Sequence, residues 1–521
     1  MRPRQKQKRR MWKSLVGCGE KPTSYNRLVS AVLISAFCLL FYGGCGRDGK
    51  ETLILANEGG VVGLDPHRQD EAVTVTVLAN IYQGLVAFDP NLKLVPGLAT
   101  GYSNPDDLTW RFQLRSGVRF HDGRPMTAED AAYSLKRAWQ DTGSVFRGML
   151  SGIKRVSVVD PGSVEIATSR PQPTMVNILT QVAVIPMGSQ PDSMPVGTGP
   201  YRFVRLLPNR GVLLERFDGY WGDAPGFRLA EFRNIHREEE RASALVRGEI
   251  DFDASVSEGQ RRYLEAAKGI DLLVWPCASV GVLGFNLSVR FPKNPVADHR
   301  VRRAISLAVD RERLSLEAYH GYTQPAWQTV PPAVVGYDPD LPKLARDPAR
   351  ARALLRQAGF ADSLRLVLEM SSAAWPVGAS LVPQLAEVGI ALRVDTVSWE
   401  DLYRDIYSGK SNFYLMGFGF GFGDAGEMLN ELHSQATGGM GCNNVSGYSN
   451  PALDLLLAEA DREFDPARRQ ALLKRAVGIA MEDLPYVPLY VREYCYGVRQ
   501  GLAWAPRSDG LVLAAEFRRK K

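Results

Sequence analysis

The run Thr52-Leu-Ile-Leu-Ala-Asn reads as a strand. Further on, Trp110, Phe112 and Leu114 alternate with Arg111, Gln113 and Arg115, the period-two pattern of a strand with one wet face. After the turn Ser116-Gly117, Val118 and Phe120 resume the apolar face, which predicts a half-buried hairpin closed by a second turn at His121-Asp122-Gly123. Helices show through their caps. Thr127 with Asp130 forms a capping-box pattern ahead of Ala131, Leu135 and Trp139, and Asp298 precedes the stripe Val301, Ala304, Ile305, Ala308. Asp347-Pro348, Asn450-Pro451 and Asp465-Pro466 each set an acceptor side chain at the N-cap and proline at the first helical position. Gly359 and Gly389 follow Ala/Leu-rich segments as C-caps, the second leading into a strand at Ile390–Val397. The pattern is mixed α/β, and no period of 20–50 residues marks a repeat architecture.

With 521 residues, 45% of them apolar and 23% charged, the chain is ordinary for a soluble protein of two or three domains. A formal charge of +6 invites a nucleic-acid or membrane partner, but the excess is local. Nine Lys/Arg and one acid fall within residues 1–44, so the remainder is close to neutral and offers nucleic acid no electrostatic footing. That basic start runs into an uncharged, mostly apolar stretch, Leu28 to Tyr42, and then Gly43-Gly44-Cys45, the three parts of an export signal. Gly43-Gly44-Cys45 resembles a bacterial lipobox, with Tyr42 where leucine is usual, and the resemblance implies lipidation of Cys45. The competing reading is an uncleaved membrane anchor, since ~17 apolar residues approach the spanning minimum. Both readings put the body outside the cytoplasm, and Met11 is an alternative start. No other stretch is long and apolar enough to span a bilayer. Cys277, Cys442 and Cys495 remain, either as one disulfide plus a leftover thiol or as isolated buried thiols.

Enzyme and metal signatures are weak. The six histidines, His67, His121, His236, His299, His320 and His433, are scattered, with no H-x-x-x-H or C-x-x-C, so no metal cluster is encoded locally. No G-x-S-x-G elbow occurs. Gly421-Phe-Gly-Asp-Ala-Gly426 fits G-x-G-x-x-G between a predicted strand, Phe413–Met416, and a predicted helix, Glu427–Leu432. No ribose-binding acid follows at the expected distance, which argues against a dinucleotide. No cofactor is expected.

The segment from Ile81-Tyr-Gln-Gly-Leu through Trp110-Arg-Phe-Gln-Leu-Arg to Phe120-His-Asp-Gly-Arg-Pro-Met-Thr-Ala-Glu-Asp130 resembles the extracellular solute-binding proteins of the peptide and nickel type, family 5. Further blocks fall in the family's order: Gly197-Thr-Gly-Pro-Tyr201, Asp218-Gly-Tyr-Trp221, Gly248-Glu-Ile-Asp251, Arg300-Val-Arg-Arg-Ala-Ile305, Gly447-Tyr-Ser-Asn-Pro451 and Leu484-Pro-Tyr-Val-Pro488. The resemblance covers nearly the whole chain after the signal. It implies a two-lobed, periplasmic-binding-protein-like α/β fold of class C type, with an extra subdomain in the first lobe and a cleft between lobes. The implied divisions are a signal peptide at 1–44, lobe I at 45–85 and 196–284, the extra subdomain at 86–195, lobe II at 285–487 and a return to lobe I at 488–521. Crossovers are placed near Leu283–Phe285 and Tyr486–Val491. The implied role is the substrate-binding component of an ABC importer: a periplasmic or surface-held, lipid-anchored monomer, not an enzyme, that passes peptides or similar solutes to a permease and its ATPase.

In peptide-binding relatives an Asp in a glycine- and aromatic-rich segment holds the ligand's ammonium. Here that segment is Gly417-Phe-Gly-Phe-Gly-Phe-Gly-Asp424, and Gly421 stands at the anchor position. Asp424, three residues on, is either an ammonium partner or a helix cap. Trp399 matches a pocket aromatic of relatives, while Phe418 and Phe420 are candidates to wall the cleft or to pack as core. Gly60 and Val61 lie in a segment resembling the strand that pairs with ligand backbone. The missing anchor keeps a second ligand class open, a sugar, opine or metal chelate on the same fold, and a secreted enzyme is the third reading.

Overall fold

The computed structural model describes residues 51–288, 294–361, 364–436 and 440–520. The segment 1–44 expected to be an export signal, and Cys45, lie outside the described residues. Most of the strands join in an eleven-stranded sheet. Its centre is a pair of long antiparallel strands, Ile270–Phe285 and Tyr486–Arg499, paired from Ile270 opposite Arg499 to Gly284 opposite Tyr486 with two register shifts on the way. On one side follow Phe413–Gly419, Leu364–Ser371 and Ile390–Val397; on the other Phe252–Asp253, Thr52–Asn57, Leu229–Asn234, Val212–Arg216 and Tyr201–Leu206. The chain therefore crosses twice between two halves, each with its own core. One core gathers Leu53, Leu55, Tyr201, Phe232 and Phe252; the other gathers Phe285, Ile305, Leu368, Leu381 and Phe413.

Parallel pairing follows the helices that return the chain. Leu364–Ser371 pairs in parallel with Ile390–Val397 across the helix Trp375–Ala386. The caps behave as the sequence predicts. Thr127 and Asp130 complete both halves of a capping box on the helix Ala128–Gln140. The side chains of Asp298, Asp347, Asn450 and Asp465 accept the first free N–H groups of their helices. Gly359 and Gly389 take the left-handed conformation after their helices.

A separate four-stranded sheet, in the order Ala99–Asp106, Thr109–Leu114, Ser163–Thr168, Ile153–Asp160, packs against the helix Ala128–Gln140. Here the predicted hairpin is corrected. Thr109–Leu114 pairs with Ala99–Asp106 and Ser163–Thr168, not with the segment after Ser116-Gly117. Val118 and Phe120 are buried in the same core, yet Arg119 makes only an isolated bridge to Pro125. Alternation reports which face is buried and does not say which strand supplies the ladder. All three described cysteines are free thiols, Cys277 and Cys495 buried and Cys442 exposed. Among the described residues no helix is long and apolar enough to cross a membrane.

Candidate functional site

The floor of the site is made by the two crossover strands. Their register slips between Pro276 and Val280, and a bulge of this kind bends a strand and re-aims its side chains. Ala278, Ser279, Tyr490, Arg492 and Tyr494 from this stretch line a cavity of about 990 Å³, at the upper end of the about 300–1,000 Å³ usual for small-molecule sites. Gly281 makes room for its neighbour. A Cβ there would stand 2.3 Å from the Tyr490 ring, so the ring lies where only glycine admits it.

One wall is the loop ending at Asp70 and the helix Ala72–Leu78 behind it. The loop is pinned from several directions. Asp192 Oδ1 accepts the N–H groups of Leu64 (2.9 Å) and Asp65 (3.0 Å), while Asp65 accepts from the His67 N–H (3.0 Å) and from Arg137 Nη1 (3.0 Å). Arg137 also donates to His67 Nδ1 (2.9 Å), which leaves the ring proton on Nε2 to reach the Ala183 carbonyl (2.8 Å). Burial pushes the His67 imidazole down to about 4, so it is neutral in the fold. Burial opposes ionisation of Asp65, and the Arg137 guanidinium outweighs it, holding the carboxyl below its usual range.

The facing wall is the strand Phe413–Gly419 with its continuation to Gly421. Leu415, Gly417, Gly419, Phe420 and Gly421 line the cavity. One edge of this strand pairs with Ile270–Phe285 as far as Gly419, whereas the other meets Leu364–Ser371 only at Tyr414 opposite Glu369. From Leu415 onward that second edge has no partner strand among the described residues. Two side chains from a third segment hold the glycine run: Gln181 Nε2 donates to the Gly421 carbonyl (2.9 Å) and Asn177 Nδ2 to the Phe422 carbonyl (2.8 Å). Farther out, Arg170 pairs with Asp461 at 2.7 Å.

The candidate residues separate clearly. Trp399, 51% exposed, and Phe420 both line the cavity. Phe418 is not part of the lining and packs on the core, its ring 5.2 Å from Tyr486. Gly60 and Val61 are not part of the lining. The close approach at Gly60 is made by the protein itself, since a Cβ there would meet Arg210 Cβ and the Asn209 carbonyl at 2.7 Å. Val61 is 4% exposed, and Arg210 occupies both its N–H and its C=O. Asp424 is buried away from the main cavity. Its two oxygens accept from Arg469 Nε and Nη2, each at 2.9 Å, and Oδ1 also takes the Gly426 N–H (2.8 Å). The α-helix after it, Gly426–Leu429, runs on as a 3-10 turn through Leu432, so the predicted helical span is present, but its four α-helical residues are too few for a nucleotide loop. Among the described residues no group of three or more His, Cys, Asp or Glu could hold a metal ion.

Comparison with known proteins settles the family. The profile of the bacterial extracellular solute-binding proteins, family 5 (middle region), matches residues 93–439. This chain belongs to that family. The glutathione-binding protein GsiB of Salmonella typhi is 30% identical over 450 residues, covering 82% of this chain and 87% of the relative. The structure of HbpA2 from Haemophilus parasuis superposes with a TM-score of 0.82 at 22% identity, covering 90% of this chain and all of the other. AgaA from A. tumefaciens R10, solved with agropinic acid, superposes with a TM-score of 0.70 at 25% identity, covering 90% and 99%. The two-lobed fold expected from the resemblance is the fold observed.

Within this family 5 cleft, sequence reasoning missed Arg492, Tyr490 and Tyr494 on the floor and Asp70 on the wall. A strand that carries a bulge breaks the alternation that would have flagged inward-facing positions. It also missed Glu427, whose Oε1 accepts the N–H groups of Phe422 (2.9 Å) and Asp424 (3.3 Å) and so fastens the glycine run from behind. Burial pushes this carboxyl up to about 8 despite those donors, and its neighbour Glu431 to about 7 for the same reason.

Proposed function

We propose that this protein is the substrate-binding component of an ABC importer, taking peptides or peptide-like solutes into the interlobe cavity and presenting them to a membrane permease driven by a separate ATPase. One observation carries the peptide reading: the unpaired edge of the strand from Leu415 to Gly421, exposed to the cavity. An extended peptide laid along such an edge gains main-chain hydrogen bonds whatever its side chains. Trp399, Phe420, Tyr490 and Tyr494 add flat apolar surface beside it. Lobe closure around the ligand excludes water and strengthens each polar contact. The GsiB relatives are glutathione-binding by name, and glutathione is itself a peptide of three units. The export signal at 1–44 with Cys45 fits a monomer held by lipid outside the cytoplasm, and binding without turnover is the reading for the cleft.

Isothermal titration with glutathione and mixed di- to pentapeptides tests this. Saturable 1:1 binding by at least one class supports it, and no heat from any of them retires the peptide version. A second reading, a non-peptide solute, is favoured by Gly421 at the family's ammonium-anchor position and by AgaA, solved with agropinic acid.

A further inference from the structure

The charges facing the cavity do not cancel among themselves in the way that those behind it do. Among the described residues four charged side chains line it: Asp70, Arg492, Arg507 and Asp509. Two of them belong to each other. Arg507 grips Asp509 through Nε (2.9 Å) and Nη2 (2.7 Å), and its Nη1 reaches Glu516 at 2.8 Å. Asp424 is equally occupied, by Arg469. Glu71, beside Asp70, caps the helix Ala72–Leu78 by accepting from Val73 and Thr74. Asp70 and Arg492 are left, both exposed to the cavity and neither in an ion pair or side-chain hydrogen bond among the described residues.

They sit on different parts of the site. Asp70 ends the loop whose residues Leu64, Asp65 and His67 are held by Asp192 and Arg137. Arg492 rises from the bulged floor between Tyr490 and Tyr494. A charged group in a closing, water-excluding cleft needs a partner, and the partner for each is a ligand group of opposite sign.

We infer that Asp70 and Arg492 form a two-ended clamp that selects zwitterionic ligands, Asp70 taking an ammonium and Arg492 a carboxylate. This rests on the cleft-binding reading and deepens it: the ammonium site lost at Gly421 is supplied from the opposite wall. A fork of guanidinium donors on the floor matches a terminal carboxylate, and a carboxylate on the wall matches an α-amino group. Main-chain pairing along the Leu415–Gly421 edge, in the same cavity, reads no charge.

The test uses glutathione and trialanine, each with free ends, N-acetylated and C-amidated, titrated into the wild-type protein and into Asp70→Asn and Arg492→Gln. The wild type is expected to prefer free ends over either blocked form by about tenfold or more, the size of one charge-assisted hydrogen bond. Asp70→Asn is expected to erase the amino-end preference alone and Arg492→Gln the carboxyl-end preference alone. Both changes are at exposed side chains, so an unchanged thermal unfolding curve checks the fold. Equal affinity of wild type for free and blocked peptides, or variants that keep both preferences, overturns the clamp while leaving the cleft reading intact. No binding of any peptide, free or blocked, removes the peptide cleft reading and the clamp with it.

Discussion

Replacing Asp424 by Asn separates a structural carboxylate from a ligand anchor. In the fold, Asp424 and Arg469 are both buried and share two hydrogen bonds of 2.9 Å. Asn keeps the acceptor that caps Gly426 but cannot accept from both guanidinium nitrogens, and it carries no charge. The guanidinium then stays buried with the Ala460 carbonyl and the neighbouring Asp461 as its remaining compensation. Breaking a buried pair by removing one partner costs about 3–5 kcal/mol; with Asp461 nearby, the lower end, about 3 kcal/mol, is expected here. Urea unfolding followed by tryptophan emission reads that loss as a lower midpoint at unchanged slope. Isothermal titration in the absence of urea should give the same ligand affinity as wild type, because the carboxylate lies away from the main cavity. A variant with wild-type stability and a tenfold weaker affinity would show that Asp424 is the ammonium anchor and that the pairing with Arg469 is incidental.

Two buried groups should give pH dependences of opposite sign. Glu427 has its carboxyl raised to about 8 from an ordinary 4.5, so the folded chain holds a proton that the unfolded chain has lost; its stabilisation is full below pH 4.5 and lost as pH rises through 8, on the order of 5 kcal/mol in all. Unfolding free energies of Glu427→Gln at pH 5 and 8.5 should therefore differ less than those of wild type, and parallel profiles would refute this. His67 is lowered to about 4 from 6.5, so its contribution is present above pH 6.5 and lost as pH falls through 4, on the order of 3 kcal/mol; His67→Gln should flatten the acid limb of the same profile. Trp399→Ala removes a half-exposed ring that lines the cavity, so thermal unfolding should shift by less than about 1 kcal/mol while peptide affinity falls severalfold.

Much of the fold is legible along the chain because caps are local. The Asp-Pro and Asn-Pro starts, the capping box at Thr127 and the glycine stops at Gly359 and Gly389 each depend on a few neighbouring residues, and each appears where the pattern puts it. The misreadings involve partners distant in sequence. Thr109–Leu114 shows its buried face but finds its ladder partners at Ala99–Asp106 and Ser163–Thr168. The site divides in the same way. Trp399 and Phe420 are aromatic in recognisable segments and do line the cavity, whereas Phe418, beside Phe420, packs on the core instead. Arg492 and Asp70 carry no local signature; what marks them is the lack of a partner, a property only the assembled cavity reveals.

Native mass spectrometry of the protein, purified without ligand and then given a peptide mixture, tests most directly whether the cleft captures a solute and leaves it unchanged. The account predicts a single added mass in 1:1 ratio that is released on denaturation with the peptide intact. Recovery of cleaved or otherwise altered peptide, or no added mass at any concentration while the protein remains folded, would contradict it.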